Sequence, residues 1–383
     1  MTSPLSRRQY RQVLGMTKTG MIGIILLFVS VPPVCTQLTT ETTDQREFIL
    51  NDEEDDRYDK IEPADKIFEM LKSRAEDNLR EKRMRRLMQF RVDAGLSAGY
   101  ETNPTQASDD DQGDPTRGAG DGDFFFEERL RLRWQPEFHS RLKAEAGYRV
   151  YNVNYTEEER IDLTSHKFHV ALKIYPFKNL RVEPGIAYTF NDYPNADSST
   201  NSKWTPFIRL RHYIGKNWNY GVEYEYTDKD YDEQLARDGA GFDIPGQERE
   251  DIRHTYSAYV TRYFDEWWIR LRYRYYDNDS NDLYLDTYDF DSNRFYITLS
   301  KTFWDKKLLF SITPSYETRD YKDRLSGPDT REDDIWHLRV YVNYELDEHI
   351  SINYGLTLRD NESNSSSGNF DNLTNSVGVN FRF

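Results

Sequence analysis

The stretch Leu373 to Phe383, LTNSVGVNFRF, carries the pattern on which everything else turns. Leu373, Val377, Val379, Phe381 and Phe383 alternate with Thr374, Ser376, Gly378, Asn380 and Arg382, and Asn375 is the one polar break on the apolar side. Successive side chains of a strand point to opposite faces, so period two marks a sheet with one apolar face. The two stretches before it repeat the pattern. Ile350, Ile352, Tyr354, Leu356 and Leu358 alternate with Ser351, Asn353, Gly355, Thr357 and Arg359. Trp336, Leu338, Val340, Val342, Tyr344 and Leu346 alternate with His337, Arg339, Tyr341, Asn343 and Glu345.

Further upstream the same template fits around Ile312, Ile297, Leu271, Ala258, Val222, Ile208, Ile186, Val170, Ala146, Leu130 and Leu96. The reading is about fourteen strands of roughly ten residues, the length that crosses a bilayer when tilted. Short links near Pro136–Ser140, Phe177–Asn179, Gly215–Lys216, Asp265–Glu266, Asp305–Lys306 and Asp347–His349 alternate with long, polar ones. The long ones are expected near 103–122, 155–163, 191–202, 229–250, 279–290, 321–333 and 361–370. A soluble sandwich has no reason to sort its connections this way. A membrane-spanning antiparallel up-and-down β-barrel does, with short periplasmic turns and longer external loops. Trp134, Trp218, Trp267 and Trp304 stand beside short links, as an interfacial aromatic girdle would.

The closing Val377, Val379, Phe381 and Phe383 resemble the C-terminal signature of bacterial outer-membrane β-barrel proteins, and the architecture resembles the porin-like members over about residues 89–383. The resemblance implies the bacterial cell outer membrane, with its lipids and lipopolysaccharide as surroundings. It also implies that the barrel-assembly machinery reads that last strand.

Composition is consistent with this and removes alternatives. Of 383 residues, 51 are Lys or Arg and 67 Asp or Glu, for a formal charge of −16. So acidic a chain lacks the basic footprint that nucleic acid demands. Aromatics reach 15% while all apolar residues reach only 37%, which leaves little for a large compact core. The single cysteine, Cys35, excludes an internal disulfide and a multi-cysteine metal site. No apolar run is long enough for a helical span. The apolar run Met21–Val31 follows Arg7, Arg8, Arg11 and Lys18, with no acidic residue before Glu41. Residues 1–35 therefore read as a signal peptide, with Met16 as an alternative start, and Val34 before Cys35 disfavours lipidation. Residues 36–88 read as a periplasmic acidic linker plus an amphipathic helix from Asp65 to about Leu87. Its apolar positions are Ile67, Met70, Leu71, Ala75 and Leu79, and it is either a solvated helix or a plug or docking element for a periplasmic partner.

If the apolar alternates face lipid, the polar ones line a lumen. The lumen and selectivity candidates are Arg129, Arg131 and Arg133 with Glu127; Arg209 and Arg211 facing Glu223 and Glu225; and Arg270, Arg272 and Arg274. Arginine on the lipid face would cost a few kcal/mol near the midplane, which supports this choice of inside. Asp93 and Glu145 are the expected partners of the first set. The third set has no inward carboxylate on the strands beside it and is expected either to form an uncompensated basic ladder favouring anions or hydroxyl-rich solutes, or to be paired by a loop carboxylate. Tyr151, Tyr175, Tyr259, Tyr296 and Tyr341 point the same way and could fill the barrel or stack on sugar rings. His166 and His169, three apart on a strand, fall on opposite faces. The loop Asp277–Asp282 begins like a calcium loop, but Asp282 stands where glycine is wanted and Tyr288 where the bidentate Glu belongs. No catalytic constellation, metal site or cofactor site is assigned, and the chain does not read as an enzyme. The expected function is a channel for ions or small polar, anionic or sugar-like solutes. The alternatives are an export or assembly barrel for polysaccharide or lipoprotein, and a non-conducting surface or adhesin barrel.

Overall fold

The computed structural model describes residues 89–106, 122–215, 217–284, 288–304, 306–326, 329–365 and 368–383. The expected signal peptide and the amphipathic helix of 36–88 lie outside the described residues.

Strand β1 runs Phe90–Glu101, β2 Asp123–Trp134, the short β3 Glu137–His139, β4 Leu142–Tyr155 and β5 Leu163–Phe177. Then come β6 Leu180–Asp192, β7 Asn201–Ile214, β8 Trp218–Arg237, β9 Asp243–Tyr263 and β10 Trp267–Ser280. The last are β11 Phe290–Phe303, β12 Leu308–Ser326, β13 Asp329–Glu345, β14 Ile350–Ser363 and β15 Phe370–Arg382. Each long strand pairs antiparallel with the next long strand, β2 with β4 among them, β1 pairs with β15, and the short β3 pairs with β4. The sheet is thereby a closed barrel of 14 strands. The residues expected to link β2 and β4 are themselves partly strand: Glu137 and His139 pair with Lys143 and Leu142. Closure leaves no sheet edge, and with the polar alternates inside, the lipid-facing surface has its backbone groups paired.

The outer wall is apolar. Leu271, Val222, Val170 and Val377 are about half exposed on it, and Trp134, Trp218, Trp267 and Trp304 are exposed at the short-turn end. At the other end a second girdle is built from cross-strand ring pairs: Tyr224 with Tyr256 (5.1 Å), Tyr273 with Phe295 (4.8 Å) and Tyr316 with Trp336 (4.4 Å). Inward glycines shelter rings from the facing strand; a Cβ on Gly185 would stand 2.3 Å from the Phe207 ring, and one on Gly221 2.7 Å from Tyr259.

Two long connections are not loops. The segment expected as a loop at 229–250 is mostly strand, because β8 extends to Arg237 and β9 begins at Asp243. Likewise 321–333 is mostly taken up by β12 and β13. The reason is physical: beyond the outer girdle no lipid demands an apolar face, so alternation stops while the ladder of backbone hydrogen bonds continues. Asp228↔Ile252 and Asp230↔Glu250 still pair, with a register shift above them.

Candidate functional site

The inward face of β10 carries Arg270, Arg272 and Arg274, each less than a tenth exposed. Arg270 Nε donates to Thr261 Oγ1 (2.9 Å), and its guanidinium lies over Tyr259 (5.0 Å). Arg274 Nε donates to Ser257 Oγ (3.2 Å) and Nη1 to the Tyr276 hydroxyl (3.1 Å), between the Tyr276 and Tyr296 rings. The ladder is not without a carboxylate. Arg272 Nη2 stands 3.7 Å from Glu223 Oε2, which reaches across β9 from β8. The expected uncompensated ladder is corrected on this point, and the partner comes from a wall strand rather than a loop.

Glu223 also meets Arg209 Nε, while Arg209 Nη2 and Nη1 reach Glu225 (3.2 Å) and Glu183 (3.6 Å). Arg209 thus sits among carboxylates of β6 and β8. Arg211 pairs with Gly221 in register and is half-buried. On β2 the carboxylates are shared with further donors. Arg129 approaches Glu127 of its own strand (3.8 Å). Asp93 accepts from Arg91 (2.8 Å) and Arg382 (3.4 Å), and Glu145 accepts from Lys173 (2.6 Å), His169 (3.0 Å) and Gln135. Arg133 also interacts electrostatically with Glu145 and Asp93, against the repulsion of Arg131 and Arg91. Facing strands put Arg131 opposite Arg149 and Arg133 opposite Gly147. Outside the wall, His166 Nδ1 bonds the Tyr148 hydroxyl (2.9 Å), so the two histidines do face opposite ways.

The structure gathers a second basic group, of which the alternation in sequence already places His337 and Arg359 inward. On β11 to β14, Arg294, Arg319, His337 and Arg359 are all buried with Glu317. Glu317 takes Arg319 Nη2 (3.0 Å), Arg294 Nη1 (3.5 Å) and the Ser292 hydroxyl (2.9 Å). Arg294 Nη2 donates to His337 Nδ1 (3.2 Å), and Arg294, Arg319, Arg339 and Arg359 all act on that imidazole electrostatically. Arg359 Nη1 donates to Oε1 of Gln106 (2.6 Å), which enters the barrel from the connection after β1.

The external mouth is crowded. Phe125, Tyr151, Val153, Tyr155, Ile161, Leu163 and Tyr193 form an apolar cluster there, drawn from β2, β4, β5 and two loops. Phe125 and Val153 break the rule that apolar side chains face out, because at that height they meet loop residues instead of solvent. Across the mouth Arg249 is fully buried between the Tyr231 and Tyr288 rings (4.4 and 3.2 Å), its fork on Asp251 at 3.0 and 2.6 Å. Arg331 repeats this on Asp333 (2.9 and 2.8 Å), over Tyr321. Planar bidentate pairs of this kind fix geometry as well as charge.

Above the outer girdle the exterior turns acidic. Carboxylate oxygens of Asp228, Asp230 and Glu250 lie within 4.8 Å of one another. Partial burial, followed by repulsion from neighbouring carboxylates, raises both Asp230 and Glu250 above the ordinary carboxylate range. Lys322 bonds Asp277 (2.8 Å) and Asp279 (2.5 Å), and that hydrogen bond holds Asp277 low. The Asp277–Asp282 segment is therefore occupied by protein partners: Arg237 takes Asp282 at 2.9 Å.

Comparison with known proteins gives one family match: the family described as surface lipoprotein assembly modifier matches residues 127–303. No curated protein matches the sequence. Among solved structures, OmpT, an outer membrane protein of Vibrio cholerae, is 8% identical with a TM-score of 0.45, covering 78% of this chain and 98% of its own. An anion-selective porin from Comamonas acidovorans is 9% identical at TM-score 0.43, covering 77% and 99%. The toluene transporter TodX of Pseudomonas putida is 8% identical at TM-score 0.41, covering 76% and 89%. The closed antiparallel barrel with an apolar exterior and polar interior is the architecture of a bacterial outer-membrane protein.

Proposed function

We propose that the chain passes small anionic or hydroxyl-bearing solutes across the outer membrane through a narrow, arginine-lined lumen. The observation that supports this most is the inner face of β10, where Arg270 lies over Tyr259, Arg274 lies between Tyr276 and Tyr296, and Arg272 stands 3.7 Å from Glu223. A cation-rich wall of low exposure focuses field on whatever crosses it and selects by charge. The close packing of inward side chains makes the passage narrow and its throughput low. Single-channel recording of the refolded chain under a salt gradient tests this. Anion preference that falls when Arg270, Arg272 and Arg274 are all changed to Ser is expected, and unchanged selectivity in that triple variant refutes the assignment.

The family match over residues 127–303 favours a second reading, an export or assembly barrel for lipoprotein that engages periplasmic partners through residues 36–88. A chain that passes no current, yet whose deletion abolishes surface display of a lipoprotein, selects this reading. In either case Val377, Val379, Phe381 and Phe383 are the residues we assign to recognition by the assembly machinery, and the acidic exterior is assigned to the lipopolysaccharide layer.

A further inference from the structure

The group on β11 to β14 is made almost entirely of donors. Glu317 is shared by Arg294 and Arg319, and Asp333 is held bidentately by Arg331. Neither carboxylate hydrogen-bonds Arg359 in the way each holds its own arginines; what Arg359 holds is the neutral amide oxygen of Gln106. His337 accepts at Nδ1 from Arg294, so its hydrogen is on Nε2, and that atom is buried and has no hydrogen-bond partner among the described residues. The strand register places His337 directly opposite Arg359. A buried donor without an acceptor is costly, and an excess of buried positive charge is more so. Both costs fall if an oxyanion enters, because guanidinium and imidazole N–H groups then gain charge-assisted hydrogen bonds.

The group now in that position is poorly suited to it. Gln106 has φ +53, in the left-handed region that a glutamine seldom adopts, and its Nε2 is buried with no partner among the described residues. Its side chain offers one acceptor to Arg359 and strands a donor among other donors. Gln106 belongs to the connection between β1 and β2 and is not part of a wall strand.

We infer that Arg319, His337 and Arg359 form a binding site for the oxyanion group of a small solute, phosphate or carboxylate, and that Gln106 is its displaceable cap. The inference deepens the channel reading by naming the class of solute, and it rests on that reading only for the route of entry. An incoming oxyanion replaces the Gln106 amide on Arg359, accepts from His337 Nε2, and releases the strained residue.

Titration calorimetry on the full chain folded in detergent tests it, with inorganic pyrophosphate in one arm and galacturonate in the other. Saturable binding of either anion is expected; pyrophosphate alone identifies a phosphate site, galacturonate alone a carboxylate site. His337→Phe and Arg359→Gln are each expected to weaken binding at least tenfold, and Gln106→Ala to strengthen it several-fold. If Arg359→Gln does not fold, His337→Phe and Gln106→Ala still decide. No saturable binding of either anion at millimolar concentration overturns the site, as does unchanged affinity in His337→Phe. Unchanged or weaker binding in Gln106→Ala overturns the cap. Conductance is recorded separately: a chain that binds but carries no current refutes the channel and leaves the site standing, and a conducting chain that binds neither anion does the reverse.

Discussion

Changing Glu317 to Gln isolates what the buried charge network contributes. Glu317 is 2% exposed and takes Arg319 at 3.0 Å, Arg294 at 3.5 Å and Ser292 at 2.9 Å. Gln keeps the volume and its carbonyl oxygen can still accept from Ser292, but the other oxygen becomes an NH2 beside a guanidinium, so the charge and one acceptor are lost together. Two guanidiniums then share a dry wall without their carboxylate. Breaking a buried ion pair by removing one partner costs about 3–5 kcal/mol. Because the shape and one hydrogen bond survive, the lower end, about 3 kcal/mol, is expected. Urea unfolding of the barrel from lipid vesicles, followed by tryptophan fluorescence, reads this as a shift in midpoint at constant slope. Lys143→Gln is the control, since its pair with Glu137 at 3.3 Å is partly exposed and is expected to cost less than about 1 kcal/mol. The double variant Glu317→Gln/Arg319→Gln is expected to cost less than the sum of the two single changes. A loss for Glu317→Gln no larger than the Lys143 control refutes the reasoning: the interior would then be wet enough to screen the charges.

Three other outcomes are expected. Arg249→Lys loses both the fork on Asp251 and the sandwich between Tyr231 and Tyr288, and is expected to destabilise the β8–β9 hairpin by about 2 kcal/mol, read as faster hydrogen exchange over 229–250. Leu271→Arg puts charge on the lipid face and is expected to cost about 2–4 kcal/mol in the same urea assay. Asp230 has a folded-state pKa raised by partial burial and then by Asp228, Glu248 and Asp232, so the stability it contributes is present below its unfolded pKa and is lost as pH rises through the folded one. Asp230→Asn is therefore expected to raise stability at pH 7 by about 0.3 kcal/mol, a small value because the group is exposed, and to match the parent at about pH 3.

The wall was legible in the sequence because lipid enforces alternation: Leu271 and Ile297 have to face out, and the arginines between them have to face in. Where lipid ends, the rule ends. The Asp-rich upper parts of β8, β9, β12 and β13 read as loops because both faces there are polar, although their backbones remain paired. Phe125, Val153 and Ile335 turn inward against the pattern, since only the folded loops supply the surface they pack on. The Arg272–Glu223 contact escaped for another reason. Pairing arguments consider adjacent strands, whereas side chains on the concave face of a curved wall reach over one strand to the next. His337 and Arg359 were visible as inward residues, but Gln106 was not, because a connection entering the barrel leaves no periodic trace.

The ladder between β1 and β15 has a kinetic side. Asp93 and Arg382, side by side at the seam, are separated by 289 residues of chain. Every other strand pairing joins near neighbours in sequence and can form as a local hairpin. This one closes a ring, at an entropic cost of about 5 kcal/mol for a flexible loop of that span. Until it forms, the molecule is an open ribbon with two unsatisfied margins, each able to recruit a strand from another chain. Completion is therefore abrupt and late: no intermediate number of hairpins makes a smaller watertight cylinder. A nascent chain that stalls before β15 has nothing to complete the seam with.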